Sequence, residues 1–193
     1  MYDSRLTTGM ESSDLAPTRW ARLTHRELVW CLRLHQAVRH RWAVQLFALV
    51  SRLGDGVFWY GLMTVLLLTQ GAAAIPVVGR MLAAGAVCLA LYKWLKAKTT
   101  RPRPCARHGR ILPRVAPLDE YSFPSGHTLH ATTFTLIAIY YYPLLIWLLL
   151  PFATLVALSR IVLGLHYPSD VLAGGVLGAG LAALAVQSPF TQI

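Results

Sequence analysis

The stretch from Ser159 to Asp170 reads Ser-Arg-Ile-Val-Leu-Gly-Leu-His-Tyr-Pro-Ser-Asp and lies between two long apolar runs. It places Arg160, His166 and Asp170 within one short connection. Ionisable groups at membrane depth are expensive to keep and imply a task. A neutral imidazole can attack an electrophile through one ring nitrogen while a carboxylate holds the other, which assigns His166 as nucleophile and Asp170 as its orienter. Arg160 then supplies a cation for the group under attack. Two further clusters have matching chemistry: Lys96 with Arg103, and Pro124-Ser125-Gly126-His127. A phosphoryl group in transfer spreads negative charge over its equatorial oxygens, so catalysis is mostly positioning and charge stabilisation. Arginine meets such oxygens with a rigid donor fork and lysine with a point charge. Ser125 and the amides that follow it would add neutral donors at a helix start. His127 would protonate the departing oxygen and then take a proton from the water that hydrolyses the phosphohistidine.

The elements that must hold these groups are membrane helices. Of the 193 residues, 55% are hydrophobic and 13% charged, against roughly 25% charged in an ordinary soluble domain. The net charge of +10 fits an anionic lipid surface or a phosphate substrate. Its confinement to the N-terminal third and one loop argues against a nucleic-acid groove. Cys31, Cys88 and Cys105 are odd in number and form no Cys-x-x-Cys pair, against a disulfide framework or zinc site. No carboxylate cluster suits magnesium: Asp119 and Glu120 are adjacent but unaccompanied. The chemistry therefore calls for no metal and no cofactor.

Residues 1–25 read as a polar tail without a cleavable signal pattern. Residues 26–53 read as one helix, interfacial and then partly inserted, with Leu28, Cys31, Leu32, His35 and Val38 on one face. Gly54-Asp55-Gly56 reads as a turn. Five spans follow: 57–74, 77–97, 124–142, 143–162, which Pro151 should bend, and 169–187, where Gly174 and Gly178 allow close helix approach. A basic, proline-punctuated loop covers 98–123, and a short tail 188–193. The fold class is thus all-α integral membrane, a bundle of about six helices in one domain, 26–187. Antiparallel packing of the spans brings the three polar clusters to one rim of the bundle.

Lys96-x6-Arg103-Pro104, Pro124-Ser125-Gly126-His127 and Ser159-Arg160-x5-His166-x3-Asp170 together resemble the three-part signature of the type 2 phosphatidic acid phosphatase family. That family shares a helical core with bacterial acid phosphatases and vanadium haloperoxidases. The resemblance covers roughly residues 27–187. It implies that Lys96, Arg103, Ser125, Gly126 and Arg160 bind phosphate, and that His166, His127 and Asp170 are catalytic. It also implies a cell-membrane enzyme acting on phosphatidate, phosphatidylglycerol phosphate or undecaprenyl diphosphate, with its site on the outer side. The partners implied are a lipid phosphate substrate and membrane lipids.

The positive-inside rule opposes that orientation, since the basic loop lies on the active-site side; phosphate binding accounts for several of its cations. A phosphotransferase on the same site stays open, because a hydroxyl acceptor need not touch a motif residue. A lipid-binding protein using only the cations would not need two histidines. Haloperoxidase chemistry has nothing in its favour in a lipid-facing chain. His25, His35, His40, His108 and His130 read as structural, and the basic stretch 101–114 as a contact for anionic lipid or for a diphosphate headgroup.

Overall fold

Apolar runs of helical length, broken by glycine and proline, fold into helices packed side by side. The computed structural model describes residues 19–107, 109–117 and 119–188. The helices are α1 (Arg19–Ala37), α2 (Arg41–Arg52), α3 (Phe58–Gln70), α4 (Ile75–Thr99), the single turn α5 (Pro104–Arg107), α6 (Gly126–Tyr141), α7 (Ile146–Val162) and α8 (Pro168–Gln187). No β-strand forms among the described residues. Expectations for residues 1–18, for His108 and for 189–193 lie outside the described residues.

Two features depart from the sequence reading. Residues 26–53 are not one helix. The chain is helical from Arg19 and breaks at Val38–His40. The break is fixed by Arg114, whose guanidinium takes the freed carbonyls of His35 and Val38, each at 2.6 Å. His35 is buried with Nδ1 3.0 Å from the Val162 carbonyl, a structural histidine. The second departure is at Gly54-Asp55-Gly56. This is no chain-reversing turn but a kink at Gly56, within Leu53–Val57, across which α2 is carried on into α3. A Cβ on Gly54 would stand 2.8 Å from Val156, and Gly56 has a φ of 137°, so close packing and backbone conformation demand glycine on both sides of Asp55.

Chain direction follows from the contacts. Ser51 meets Arg160, Gly54 meets Val156 and Phe58 stacks on Phe152. The α2–α3 rod therefore runs antiparallel to α7. Asp55 and Lys96 line one cavity, although a straight helix joining them would be about 60 Å long. The chain reverses between them at Gly71, which has a φ of 58°, and the 3-10 turn Gly71–Ala74. Pro76 then starts α4. α6 and α8 both start at the cavity end and run the same way, in close contact.

Trp59, Met63, Met81, Phe134 and Leu149 form the core between the rods, and Cys31, Ile111, Ile161 and Tyr167 form a smaller one beneath α1. Outside, Leu144, Trp147, Leu172, Val176 and Leu184 are exposed, an apolar surface that only lipid would cover. Three helical stretches, Arg41–Thr99, Pro143–Val162 and Pro168–Gln187, are long and apolar enough to cross a membrane.

Gly174 and Gly178 set the α6–α8 contact. A Cβ on either would stand 2.6 Å from a backbone oxygen, of Ser125 and of Leu129 respectively. Gly174→Ala and Gly178→Ala should each cost about 1–3 kcal/mol through overpacking. The check is the thermal midpoint in detergent. Gly180→Ala, with nothing within 4 Å, should leave it unchanged.

Candidate active site

The three polar clusters meet around a cavity of about 730 Å³. Lys96 comes from the last turn of α4, Arg103 from the loop before α5, Gly126 and His127 from the first turn of α6, Arg160 from the end of α7, and His166 from the α7–α8 connection. The two imidazoles and three cations expected to act together therefore share one space. Asp55 lines it too, and Trp59, Met63, Leu82 and Leu89 give it an apolar wall.

His166 is buried. Its Nε2 stands 3.3 Å from Arg103 Nη1, and its Nδ1 is 3.6 Å from Asp170 Oδ2. That last gap is longer than a hydrogen bond, although resting catalytic contacts often tighten only with substrate bound. Burial first, and then the charges of Arg160, Arg103 and Lys96, push the His166 imidazole well below its ordinary value. That direction favours the neutral form, the one in which a ring nitrogen has a free lone pair.

Asp170 is buried at the start of α8 and has other partners. Its Oδ2 accepts the Tyr167 N–H at 2.8 Å, and its Oδ1 accepts from Arg101 Nη1 at 2.6 Å. Arg101 also donates to Ser169 Oγ at 2.7 Å and to Glu27 Oε2 at 2.6 Å, and lies over the Tyr167 ring. Glu27 in turn accepts the Ser169 N–H. Cys31 donates to the His166 carbonyl across 3.7 Å. The connection that carries His166 is thus held from behind by α1, which lies at the cavity end of the bundle.

Arg103 donates from Nε to the Asp119 carbonyl, from Nη2 to Asp119 Oδ1 and from Nη1 to the Leu165 carbonyl, each at 2.8 Å. Lys96 donates to the other Asp119 carboxylate oxygen. Burial opposes ionisation of Asp119, but its hydrogen bonds and the charges of Lys96 and Arg103 outweigh it and hold this carboxyl below the usual value. Asp119 thus spans both cations. Arg160 donates to Ser51 Oγ, while its Nε has no partner among the described residues.

Ser125 caps α6: its Oγ accepts the Thr128 N–H at 3.4 Å and lies 2.9 Å from Thr128 Oγ1. It is fully buried and is not part of the cavity wall. Its N–H donates to the Asp170 carbonyl at 3.0 Å, joining two of the motifs through backbone. His127 Nε2 lies 3.3 Å from Asp55 Oδ1. His130, one turn on, also lines the cavity, with ring nitrogens facing the Gly126 and Gly85 carbonyls. Of the loop arginines, Arg114 serves the α1–α2 break rather than a headgroup.

Sequence reasoning missed Asp55, Ser51, Asp119, Arg101 and Glu27. Only Asp55 carried a local signal, a carboxylate between two glycines. The rest are placed by loop and α1 contacts with no period or motif.

Comparison with known proteins places the chain in a family. The PAP2 superfamily model matches residues 73–193. A decaprenylphosphoryl-5-phosphoribose phosphatase of Mycobacterium tuberculosis is 38% identical over 126 residues, 62% of this chain and 68% of that protein. An undecaprenyl-diphosphatase of Sulfolobus acidocaldarius is 41% identical over 69 residues, 35% of this chain and 34% of that one, so the match spans about a third of that relative. The fold is similar to that of the PAP2 type phosphatidylglycerolphosphate phosphatase of Bacillus subtilis, with a TM-score of 0.65 and 24% identity over 86% of this chain and 85% of that one. It is likewise similar to LpxE of Aquifex aeolicus, with a TM-score of 0.67 and 24% identity over 83% and 94%. A helical bundle with a lipid-facing apolar surface, carrying this signature on one cavity, makes the chain a multi-pass membrane protein that belongs to the PAP2 superfamily.

Proposed function

We propose that this protein is a metal-independent membrane phosphatase that hydrolyses lipid phosphomonoesters or diphosphates through a phosphohistidine on His166. The observation that carries the reading is the shared cavity: two imidazoles and three cations at one end, an apolar wall beside them. His166 Nε2 attacks phosphorus, the bond to the lipid oxygen breaks, and His127 gives that oxygen a proton. Water then attacks the phosphohistidine, His127 takes back a proton, and inorganic phosphate leaves. Lys96, Arg103 and Arg160 hold the phosphoryl oxygens, with backbone amides at Gly126 and His127 adding donors. The apolar wall suits an acyl or polyprenyl chain, which favours a lipid over a soluble phosphate ester.

The test is phosphate release by the purified protein from phosphatidate, phosphatidylglycerol phosphate and undecaprenyl diphosphate, without added acceptor and with a chelator present. Release from at least one, blocked by vanadate acting as a five-coordinate phosphorus mimic, is the expected result. Release that requires magnesium, or activity only with an added hydroxyl acceptor, would refute the hydrolase reading. The acceptor-dependent outcome would identify a phosphotransferase.

The same reading places the protein in the cell membrane with five crossings, α2–α3 forming the first, and with the cavity facing outward. The active-site end is rich in cations, but Lys96, Arg101, Arg103, Arg114 and Arg160 are all engaged by protein groups, so they are not free loop charges of the kind the positive-inside rule counts. Arg33, Arg39 and Arg41 remain at that end and weigh the other way. A cysteine at the exposed loop position Leu112, in a Cys105→Ser background, should react with an impermeant thiol reagent in intact cells. Reaction only in inverted vesicles would reverse the orientation.

A further inference from the structure

A general acid must carry its proton at the moment the leaving group departs. His127 is poorly placed to do so alone. Arg160 at the end of α7 and Lys96 from α4 line the same cavity as its ring. Positive neighbours oppose a second positive charge on the ring. The carboxylate within reach is Asp55, with Oδ1 3.3 Å from His127 Nε2. It lies on the cavity wall and comes from outside the three motifs.

The backbone around Asp55 is built for this placement. The rod kinks at that point, with Gly56 outside the helical region of backbone space. Gly54 is pressed against Val156, and Gly56 holds a φ of 137°. Neither position tolerates a side chain, so the turn is fixed on both sides of the carboxylate. Ser51, one turn earlier, meets Arg160, which ties the same segment to the phosphate-binding end of the cavity.

We propose that Asp55 is the positioning residue of the acid–base step: its carboxylate accepts the Nε2–H of His127 and stabilises the imidazolium that delivers the proton to the leaving oxygen. The assignment rests on the reading of His127 as the acid–base group. Asp55 does not contact phosphorus and bonds to no part of the substrate; it acts through the ring.

The experiment compares Asp55→Asn, His127→Ala and the double variant on two substrates, an alkyl lipid phosphate and p-nitrophenyl phosphate. The aryl leaving group departs with little need of a proton. Asp55→Asn should lower kcat on the alkyl substrate by about 10–100-fold, part of the range a positioned acid–base group supplies, with KM little changed. The loss should shrink on the aryl substrate. In the His127→Ala background, Asp55→Asn should add less than about twofold, because the two act as one unit. Vanadate affinity should be unchanged in Asp55→Asn. The proposal is overturned if the two single losses multiply in the double variant, if both substrates suffer equally, or if vanadate affinity falls with kcat. If His127→Ala is impaired and Asp55→Asn is not, the proposal falls alone. If His127→Ala turns over like wild type, the acid–base reading falls and takes the proposal with it.

Discussion

His166→Ala should reduce turnover by at least about 10³-fold, the scale on which removing a member of a cooperating catalytic set is felt. In the proposed mechanism the ring is the nucleophile, and the other polar groups of the cavity bind charge or move protons. Phosphate binding should survive, because Lys96, Arg103 and Arg160 come from separate elements and are held by Asp119, Leu165 and Ser51; Arg103, which also touches the imidazole, keeps three other hydrogen bonds. Rapid quenching of the wild-type enzyme should trap an acid-labile phosphohistidine, absent from the variant; an acid-stable phosphoserine would move the chemistry to Ser125. The pH dependence has a definite sign. Attack requires the neutral ring, whose fraction rises as pH climbs through its pKa. Burial and three cations depress that pKa well below 6.5. Any acid limb due to His166 must therefore lie well below pH 6.5, and a limb from this group at or above that value would contradict the structure.

Arg101→Ala should be the most destabilising of the substitutions considered. Asp170 is wholly buried, and its Oδ1 finds a counter-charge in Arg101. Removing one partner of such a pair leaves an uncompensated charge and costs about 3–5 kcal/mol. The same change frees Glu27 and Ser169 and lifts the guanidinium from the Tyr167 ring. Activity should fall with stability, because the carboxylate that faces His166 Nδ1 loses its anchor. Lysine keeps the charge but cannot reach Asp170, Ser169 and Glu27 together as a planar fork does, so Arg101→Lys should lie between alanine and wild type. Thermal unfolding in detergent checks the stability, with kcat measured below the lowest midpoint. An alanine variant that melts with the wild type would show that Asp170 needs no partner.

Membrane helices and motif residues were legible in the sequence for separate physical reasons. Spans such as 77–97 and 169–187 declare themselves by length and apolarity, and appear within a few residues as α4 and α8. Gly174 and Gly178 announce close packing because only a missing side chain permits it. Lys96, Arg103, His127, Arg160 and His166 stand out because such groups are costly in apolar surroundings, and one cavity accounts for all five. The misreadings share another cause. Gly54-Asp55-Gly56 has the composition of a surface turn, and nothing local shows that α7 presses on Gly54. The break at Val38–His40 depends on Arg114, far along the chain. Arg101 was passed over because it lacks the motif spacing, yet its placement depends on Asp170 and Glu27, at separations no periodicity registers. Ser125, expected at the phosphate, also caps α6, a use that its type alone does not reveal.

The wall of the cavity that carries Asp55 belongs to the α2–α3 rod, whereas the PAP2 superfamily model matches only residues 73–193. Excising the matched portion would preserve every motif residue yet remove Trp59 and Met63 from the shared core and open one flank of the cleft to lipid. The stretch that the family model matches and the unit that closes the cavity are therefore different objects here, and the first is smaller than the second.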